Sequence, residues 1–480
     1  NLVLPTDYKE TNFKDILKTM NKLKGSPYSL TKIEDILSEI DKIALSKQYE
    51  FISADIDEVV INETSLDFNI LIKETDKFYV ERINILGNSV TEESVIRNTF
   101  LVDEGDAFNE ILHNKTINTL KSKNLFKTVT TETTEGSSAN QKILNIRVEE
   151  KPTGEISAGA GIGTGGGSLG FSVKENNYMG RGTKLNSSIN VSKNSLRGAI
   201  SLTVPNYNYT DKALTSSVSS IQTDNLSDYG YKSSKTGFSV GTYYEQYEDI
   251  YFSPSISSFV ESLETDTKAS ASLKKQEGNY FDTSFDYGIV YDKRNQSFQP
   301  SDGFKSSFFQ SVPLISENYS LINGYTFSAY HELLDDMIGS VSIYTRMITS
   351  LNDKDVRISD RLQIPSNRLR GFQSGKIGPI DGGDYVGGNY ASAFNLSTTL
   401  PYILPSLQNV DFKLFFDAAN VWGVDYSDEI NDSSKIRSST GLAVDWFTPI
   451  GPLNFSLSQP ITKKVTDKTQ SFRFNLGTTF

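Results

Sequence analysis

The chain ends on Ser471-Phe-Arg-Phe-Asn-Leu-Gly-Thr-Thr-Phe480, and the reading of this stretch decides the fold. Phe472, Phe474, Leu476 and Phe480 share one face of an extended segment, while Ser471, Arg473, Asn475 and Thr479 share the other. Such period-two alternation marks a strand with one apolar and one polar side. The preceding segments repeat it: Leu453, Phe455 and Leu457 oppose Asn454, Ser456 and Ser458, and Leu442, Val444 and Trp446 oppose Arg437, Ser439 and Asp445. Back to Lys151, segments of this kind lie near Glu155, Leu169, Lys184, Gly198, Leu214, Gly237, Phe252, Phe281, Gly303, Leu321, Ile338, Gly388, Val410, Arg437, Leu453 and Gln470. Each claims about 21 residues, which suits a membrane-crossing strand of roughly 9–11 residues plus a connection. Sixteen strands enclose more space than their side chains can fill, so the polar face must line a wet lumen and the apolar face must meet lipid. The spacing therefore predicts a 16-stranded antiparallel transmembrane β-barrel over residues 152–480.

Composition narrows the chemistry. Only 37% of the 480 residues are apolar, mean hydropathy is −0.36, and no apolar run is long enough for a membrane helix. The absence of Cys excludes disulfides, a thiol nucleophile and thiolate-held metal, and His113 and His331 are the only imidazoles. A net charge of −12 argues against nucleic acid as a partner. Residues 1–150 hold 18 basic and 26 acidic residues, net −8, which leaves −4 for the remainder. Asn1-Leu-Val-Leu-Pro-Thr-Asp-Tyr-Lys-Glu10 has neither the basic stretch nor the apolar core of a signal peptide.

Before Lys151 the period changes. Phe13, Ile16, Leu17 and Met20, and again Ile33, Ile36, Leu37 and Ile40, recur at helical spacing, followed by strand-like runs at Phe51–Val60 and Leu66–Ile72. The order then repeats: a strand at Tyr79–Leu86 with the turn pair Gly87-Asn88, helices near 91–100 and 109–123, and strands at 126–133 and 142–149. Two β-α-α-β-β units of about 75 residues result, at 1–76 and 77–151. The first shows no opening strand by this reading, so further chain is expected upstream.

Few constellations promise chemistry. Gly161-Ile-Gly163-Thr-Gly165-Gly166 fits a dinucleotide fingerprint formally, but no helix follows it. Glu155–Gly163 reads either as a flexible linker or as a glycine-rich first strand; the alternation of Ile156, Ala158, Ala160 and Ile162 favours the strand. A closed barrel must pair its first and last strands, so Gly159, Gly161 and Gly163 against Asn475, Gly477 and Phe480 would form a weak seam. The longest connection, 351–386, contains Asn367-Arg-Leu-Arg-Gly-Phe-Gln373. Arg370 is either a solvated loop charge or, if the loop folds inward, a partner for the lumen-facing Asp417. No catalytic triad or metal cluster can be assembled, and neither His113 nor His331 has a companion base or nucleophile.

Several phrases together resemble the BamA family of outer-membrane protein-assembly factors, within the wider POTRA-plus-barrel superfamily. They are Asn177-Tyr-Met-Gly-Arg-Gly182, Tyr291-Asp with Arg294, Arg370-Gly-Phe372, Gly387-Gly-Asn389, Asp417 with Val421-Trp422, and Gly451-Pro-Leu453 with Gln459-Pro460, all in family order. Tyr79–Glu150 is similar to a POTRA domain, as is 1–76 without its first strand. The resemblance implies a non-enzymatic protein of the Gram-negative outer membrane, without cofactor, with its POTRA domains in the periplasm. Its expected partners are nascent β-barrel clients, BamD and other assembly lipoproteins, periplasmic chaperones and outer-membrane lipid. It further implies that Arg370, Gly371 and Phe372 anchor the loop to Asp417, and that Glu104 docks BamD. The family's second acidic partner for the Arg is replaced here by Ser397. Two-partner secretion transporters and TamA-type assembly factors share enough of the pattern to stand as alternatives.

Overall fold

A computed structural model describes residues 2–5, 10–24, 36–37, 39–40, 52–62, 65–74, 78–210, 212–297, 299–401, 403, 409–430, 432, 435–448 and 451–477. These form two units, Asn1–Thr153 with the turn Met179–Gly182, and Gly154–Tyr178 with Thr183–Phe480.

The first unit repeats one small sheet. Strands β1 (Leu2–Val3), β2 (Ile52–Asn62) and β3 (Ser65–Glu74) order as β1-β3-β2, with β1 parallel to β3. Strands β4 (Tyr79–Leu86), β5 (Phe126–Glu135) and β6 (Gln141–Glu150) order as β4-β6-β5, with β4 parallel to β6. Leu2–Val3 thus stand where the opening strand was expected to be lacking. The helical spacing of Phe13, Ile16, Ile36 and Ile40 packs them on Ile70 and Ile72 of β3. In the second copy, Ile96 from helix Glu93–Arg97 and Ile117 and Leu120 from helix Glu110–Ser122 cover Ile83, Leu144 and Ile146. The latter helix starts where the Asn109 side chain accepts from Leu112 N at 3.1 Å. His113, in the first turn of this helix, is buried with Nε2 2.8 Å from Thr131 Oγ1, and burial pushes its pKa down.

Glu150, the last residue of β6, caps the turn after Gly87-Asn88. Its carboxylate accepts from the backbone N–H of Ser89 (3.0 Å), Val90 (2.9 Å) and Thr91 (2.6 Å) and from Ser89 Oγ (2.7 Å). Burial raises its pKa, but these donors outweigh burial and hold it at about 2. A carboxylate depressed in the fold stabilises fully above its ordinary value, and that stability is lost as pH falls from about 4.5 toward 2. We expect Glu150→Gln to cost about 1–2 kcal/mol at neutral pH, after allowance for screening at this partly exposed site. Hydrogen exchange of the β4–β6 amides should show the loss at pH 7 and a much smaller difference near pH 2.

The second unit is a closed antiparallel barrel. Its sixteen strands are β7 (Gly154–Gly163), β8 (Gly166–Tyr178), β9 (Thr183–Ser192), β10 (Ser195–Val204), β11 (Ala213–Asn225), β12 (Tyr231–Tyr247), β13 (Ile250–Thr265), β14 (Gly278–Asp292), β15 (Gly303–Ile315), β16 (Ser320–Leu334), β17 (Met337–Ser350), β21 (Tyr390–Thr399), β22 (Val410–Trp422), β23 (Arg437–Thr448), β24 (Gly451–Thr462) and β26 (Phe472–Gly477). Two-residue strands β18 (Gly371–Phe372), β19 (Ile380–Asp381) and β20 (Asp384–Tyr385) lie in the long connection, and β25 (Thr469–Gln470) precedes the last strand. Outward residues such as Ile156, Phe171, Ile200, Val218, Phe238 and Leu442 remain between 47 and 73% exposed, while their inward neighbours are polar or small. An apolar belt of this kind is the lipid-facing surface of a membrane barrel.

Candidate functional site

The connection between β17 and β21 folds into the lumen because its apolar residues find small wall residues there. Val356, Leu362, Ile364, Leu369, Phe372 and Ile377 pack with Ala391 and Ala393 of β21 and Ala419 and Val421 of β22. Farther along, Ile358 and Val386 meet Leu263 of β13 and Val424. Three arginines tie this apolar layer to separate parts of the wall. Arg357, 4% exposed, lies 2.5 Å from Asp282 of β14 and 3.6 Å from Glu261 of β13, and also holds Asp360 of its own loop at 3.0 Å. Arg361 pairs with Asp425 after β22. Arg370 pairs with Asp417.

The Arg370 site is the most complete. Its backbone N and Nε donate to Asp417 Oδ2 at 3.0 and 2.8 Å, and Nη2 donates to Oδ1 at 2.8 Å. This is a bidentate, charge-assisted pair around a carboxylate with no solvent exposure. Asn395 of β21 adds a donor to Oδ1 at 2.8 Å and gives another to Arg368 O. The guanidinium also stacks 3.5 Å above the Phe415 ring, one inward position before Asp417. Ser397 takes no part: its hydroxyl lies 2.7 Å from Ser340 Oγ. Asn395 and Phe415 therefore occupy the surroundings where a second carboxylate was expected. Gly371 has φ +86°, and a Cβ there would meet Ser439 and Ser458 at 3.2 Å, so the turn that brings Phe372 under the wall needs glycine. Phe415→Leu should weaken the anchor by about 1–2 kcal/mol through loss of a desolvated cation–π contact, read as faster exchange of loop amides.

The seam is short. Among the described residues, β26 pairs with β7 only at Asn475–Gly163, Leu476–Ile162 and Gly477–Gly161, with Thr164 N donating to Phe474 O at 3.1 Å just beyond. By contrast, β7 pairs with β8 along its whole length. Gly477 has φ +125°, and a Cβ on it would sit 2.6 Å from Ala160 O, so the strands close backbone to backbone. Gly159 pairs with Gly170 of β8, whereas its register partner on the last strand would be residue 479. That position and Phe480 lie outside the described residues. A lumen cavity of about 950 Å³ adjoins the seam, lined by Gly163, Lys193, Arg370, Lys376, Arg473 and Asn475.

In the first unit, Glu104 accepts from Ile83 N at 2.9 Å and lies 3.4 Å from Arg97. The Ile83 N–H, then the Arg97 charge, hold its carboxyl below the usual range against slight burial. Its side chain is 44% exposed, so part of it faces outward. Sequence reading overlooked Arg357, Arg361, Glu261, Asp282 and Asp425. The available signal was a carboxylate on the inward face of a membrane strand, at Glu261 and Asp282, which demands a buried partner. Among the described residues no group of three or more His, Asp or Glu could hold a metal ion.

Residues 177–480 match the profile of the Omp85 superfamily domain. The chain belongs to the Omp85 superfamily. Its residues 78–151 also match the POTRA profile described as a surface antigen variable number repeat. Among curated Omp85-type relatives, the outer membrane protein assembly factor BamA of Neorickettsia risticii is 25% identical over 86% of this chain and 57% of its own length. BamA of Neisseria meningitidis serogroup B is 23% identical over 99% of this chain and 66% of its own. The chain thus spans between half and two thirds of these relatives. BamA from Haemophilus ducreyi lacking POTRA domains 1–3 superposes with a TM-score of 0.81 at 22% identity, covering 100% of this chain and 99% of that one. CdiB from Acinetobacter baumannii gives 0.52 at 12% identity, covering 100% and 89%. The resemblance to the BamA family is borne out, the 16-stranded barrel is the Omp85 fold, and the protein resides in the bacterial outer membrane.

Proposed function

We propose that this chain inserts and folds β-barrel proteins into the outer membrane by opening its barrel sideways, without bond-making chemistry. The observation that carries the reading is the seam, closed among the described residues at three paired positions, with glycine at one or both members of two of them. Backbone groups left unpaired in hydrocarbon cost several kcal/mol each, so an incoming strand cannot cross the membrane until its partners are supplied. An opened β7 or β26 edge supplies them, and strand addition at such an edge is a general mode of peptide recognition. Residues 1–76 and 77–151 would serve as POTRA domains in the periplasm, offering sheet edges to clients and docking surfaces to lipoproteins, with Glu104 facing a partner of the BamD kind. Arg370, Gly371, Phe372 and Asp417 would keep the loop seated while the seam works.

Export of an unfolded chain through the lumen is the other reading. It draws no support from a lumen filled by a loop that three arginines fasten to the wall, which lateral opening need not displace. Depleting the protein decides between them: loss of many outer-membrane barrels supports assembly, and loss of a single secreted protein with the barrels intact overturns it in favour of export.

A further inference from the structure

The last strand is held unevenly. Among the described residues, its Asn475, Leu476 and Gly477 close the seam by pairing with Gly163, Ile162 and Gly161 of β7. The segment leading into it turns away from the wall and pairs with the lumen loop: Thr469 and Gln470 form an antiparallel ladder with Phe372 and Gly371. The ladder continues as Gln373 N donates to Lys468 O at 2.9 Å and Lys468 N to Lys376 O at 3.1 Å. Arg473, inside β26 and facing the lumen, then reaches back to the same loop, donating through Nη2 to Phe372 O at 2.6 Å and through Nη1 to Ser366 O. Upstream, Asp467 is buried against the fully buried Arg437 of β23, at 3.0 Å.

From this we infer that the lumen loop is the fixed post on which the last strand hinges, and that Arg473 is the positioning residue that fastens the strand to it. The inference rests on the lateral reading of function and adds which part of the strand moves. Residues 467–473 stay bound to a loop that is itself anchored through Arg370 and Asp417, while residues 474–477 swing away from β7. The physical ground is the difference in partners. Two guanidinium donors on loop carbonyls and a lumen ladder oppose movement at one end; at the other, two of the three described pairs with β7 involve glycine, which offers no side-chain contact, and the remaining partner is β24. A strand anchored at one end returns to its register after each opening, because re-pairing is intramolecular.

Two measurements on the full chain in lipid nanodiscs test this. In Arg473→Ala, exchange of the Gln373 and Lys468 amides should rise about tenfold, and Arg473→Lys should restore part of the protection. Unchanged exchange overturns the brace. Gln373→Cys with Lys468→Cys, exposed partners outside the anchor, should form a disulfide that leaves client insertion at the rate of its reduced form. If that cross-link stops insertion while the reduced form works, the loop must release the strand and the hinge is overturned although the function stands. A wild-type chain that inserts no client overturns the proposed function instead, and the exchange result then decides the brace by itself.

Discussion

Oxidising a chain that carries Ile162→Cys and Leu476→Cys should stop client insertion, and reduction should restore it. The two positions are register partners across the seam, and antiparallel partners lie at a Cα separation of about 4.5–5.5 Å, within the range a disulfide spans. The chain has no cysteine of its own, so no other thiol competes. One covalent bond suffices because lateral opening has to separate β26 from β7, and a disulfide between these partners makes that impossible. A matched lock at Ile200→Cys with Val218→Cys, partners on β10 and β11, should have no effect, since that pair is embedded in a ladder continuous over both strands. Insertion at the normal rate through a quantitatively cross-linked seam would sink the lateral mechanism.

Removing the Asp417 carboxylate should have the largest effect on the loop. Asp417→Ala leaves the Arg370 guanidinium, the Arg370 backbone N–H and the Asn395 amide without their shared acceptor, and an unpaired buried charge costs about 3–5 kcal/mol. Loop 351–386 should then leave the lumen, detected as new trypsin cleavage at Arg368 and Arg370 and as faster exchange of its amides. Arg370→Ala should fail similarly, because it leaves the fully buried Asp417 carboxylate without its counter-charge, with only the residue-370 N–H and the Asn395 amide to donate. The double substitution should be little worse than either single one, since each penalty is that of the partner left behind. Additive losses would show that the two residues act separately and that the ion pair is not the anchor.

Much of this architecture is legible in one dimension. Alternation at Phe472, Phe474 and Leu476 against Arg473 and Asn475 states that a strand has a lipid side and a water side, and its repetition states that the strands close. Helical spacing at Phe13, Ile16, Ile36 and Ile40 likewise announces the packing face in the first unit. The glycines of the seam are visible because positions 161 and 163 carry no side chain whatever lies opposite. Such features depend on the period of the chain and on the residues themselves, so no partner has to be known.

Pairings across the lumen are of another kind. Arg357 meets Glu261 and Asp282 over sequence separations of 96 and 75 residues, and nothing local says which inward carboxylate a loop arginine will choose. The replacement of an expected carboxylate by Asn395 and the Phe415 ring was equally hidden, because a ring becomes a cation's partner only when the fold sets it 3.5 Å beneath the guanidinium. The hold of Arg473 on Ser366 and Phe372 belongs with these, since an inward arginine on the last strand reads as a lumen charge until the loop arrives beside it. The sequence alone settled barrel, lumen and lipid face, because each follows from periodicity and residue type. Which side of the lumen grips the loop, and which end of the last strand is tied, was left to the closed fold, where burial forces each charge to find a partner that distance along the chain conceals.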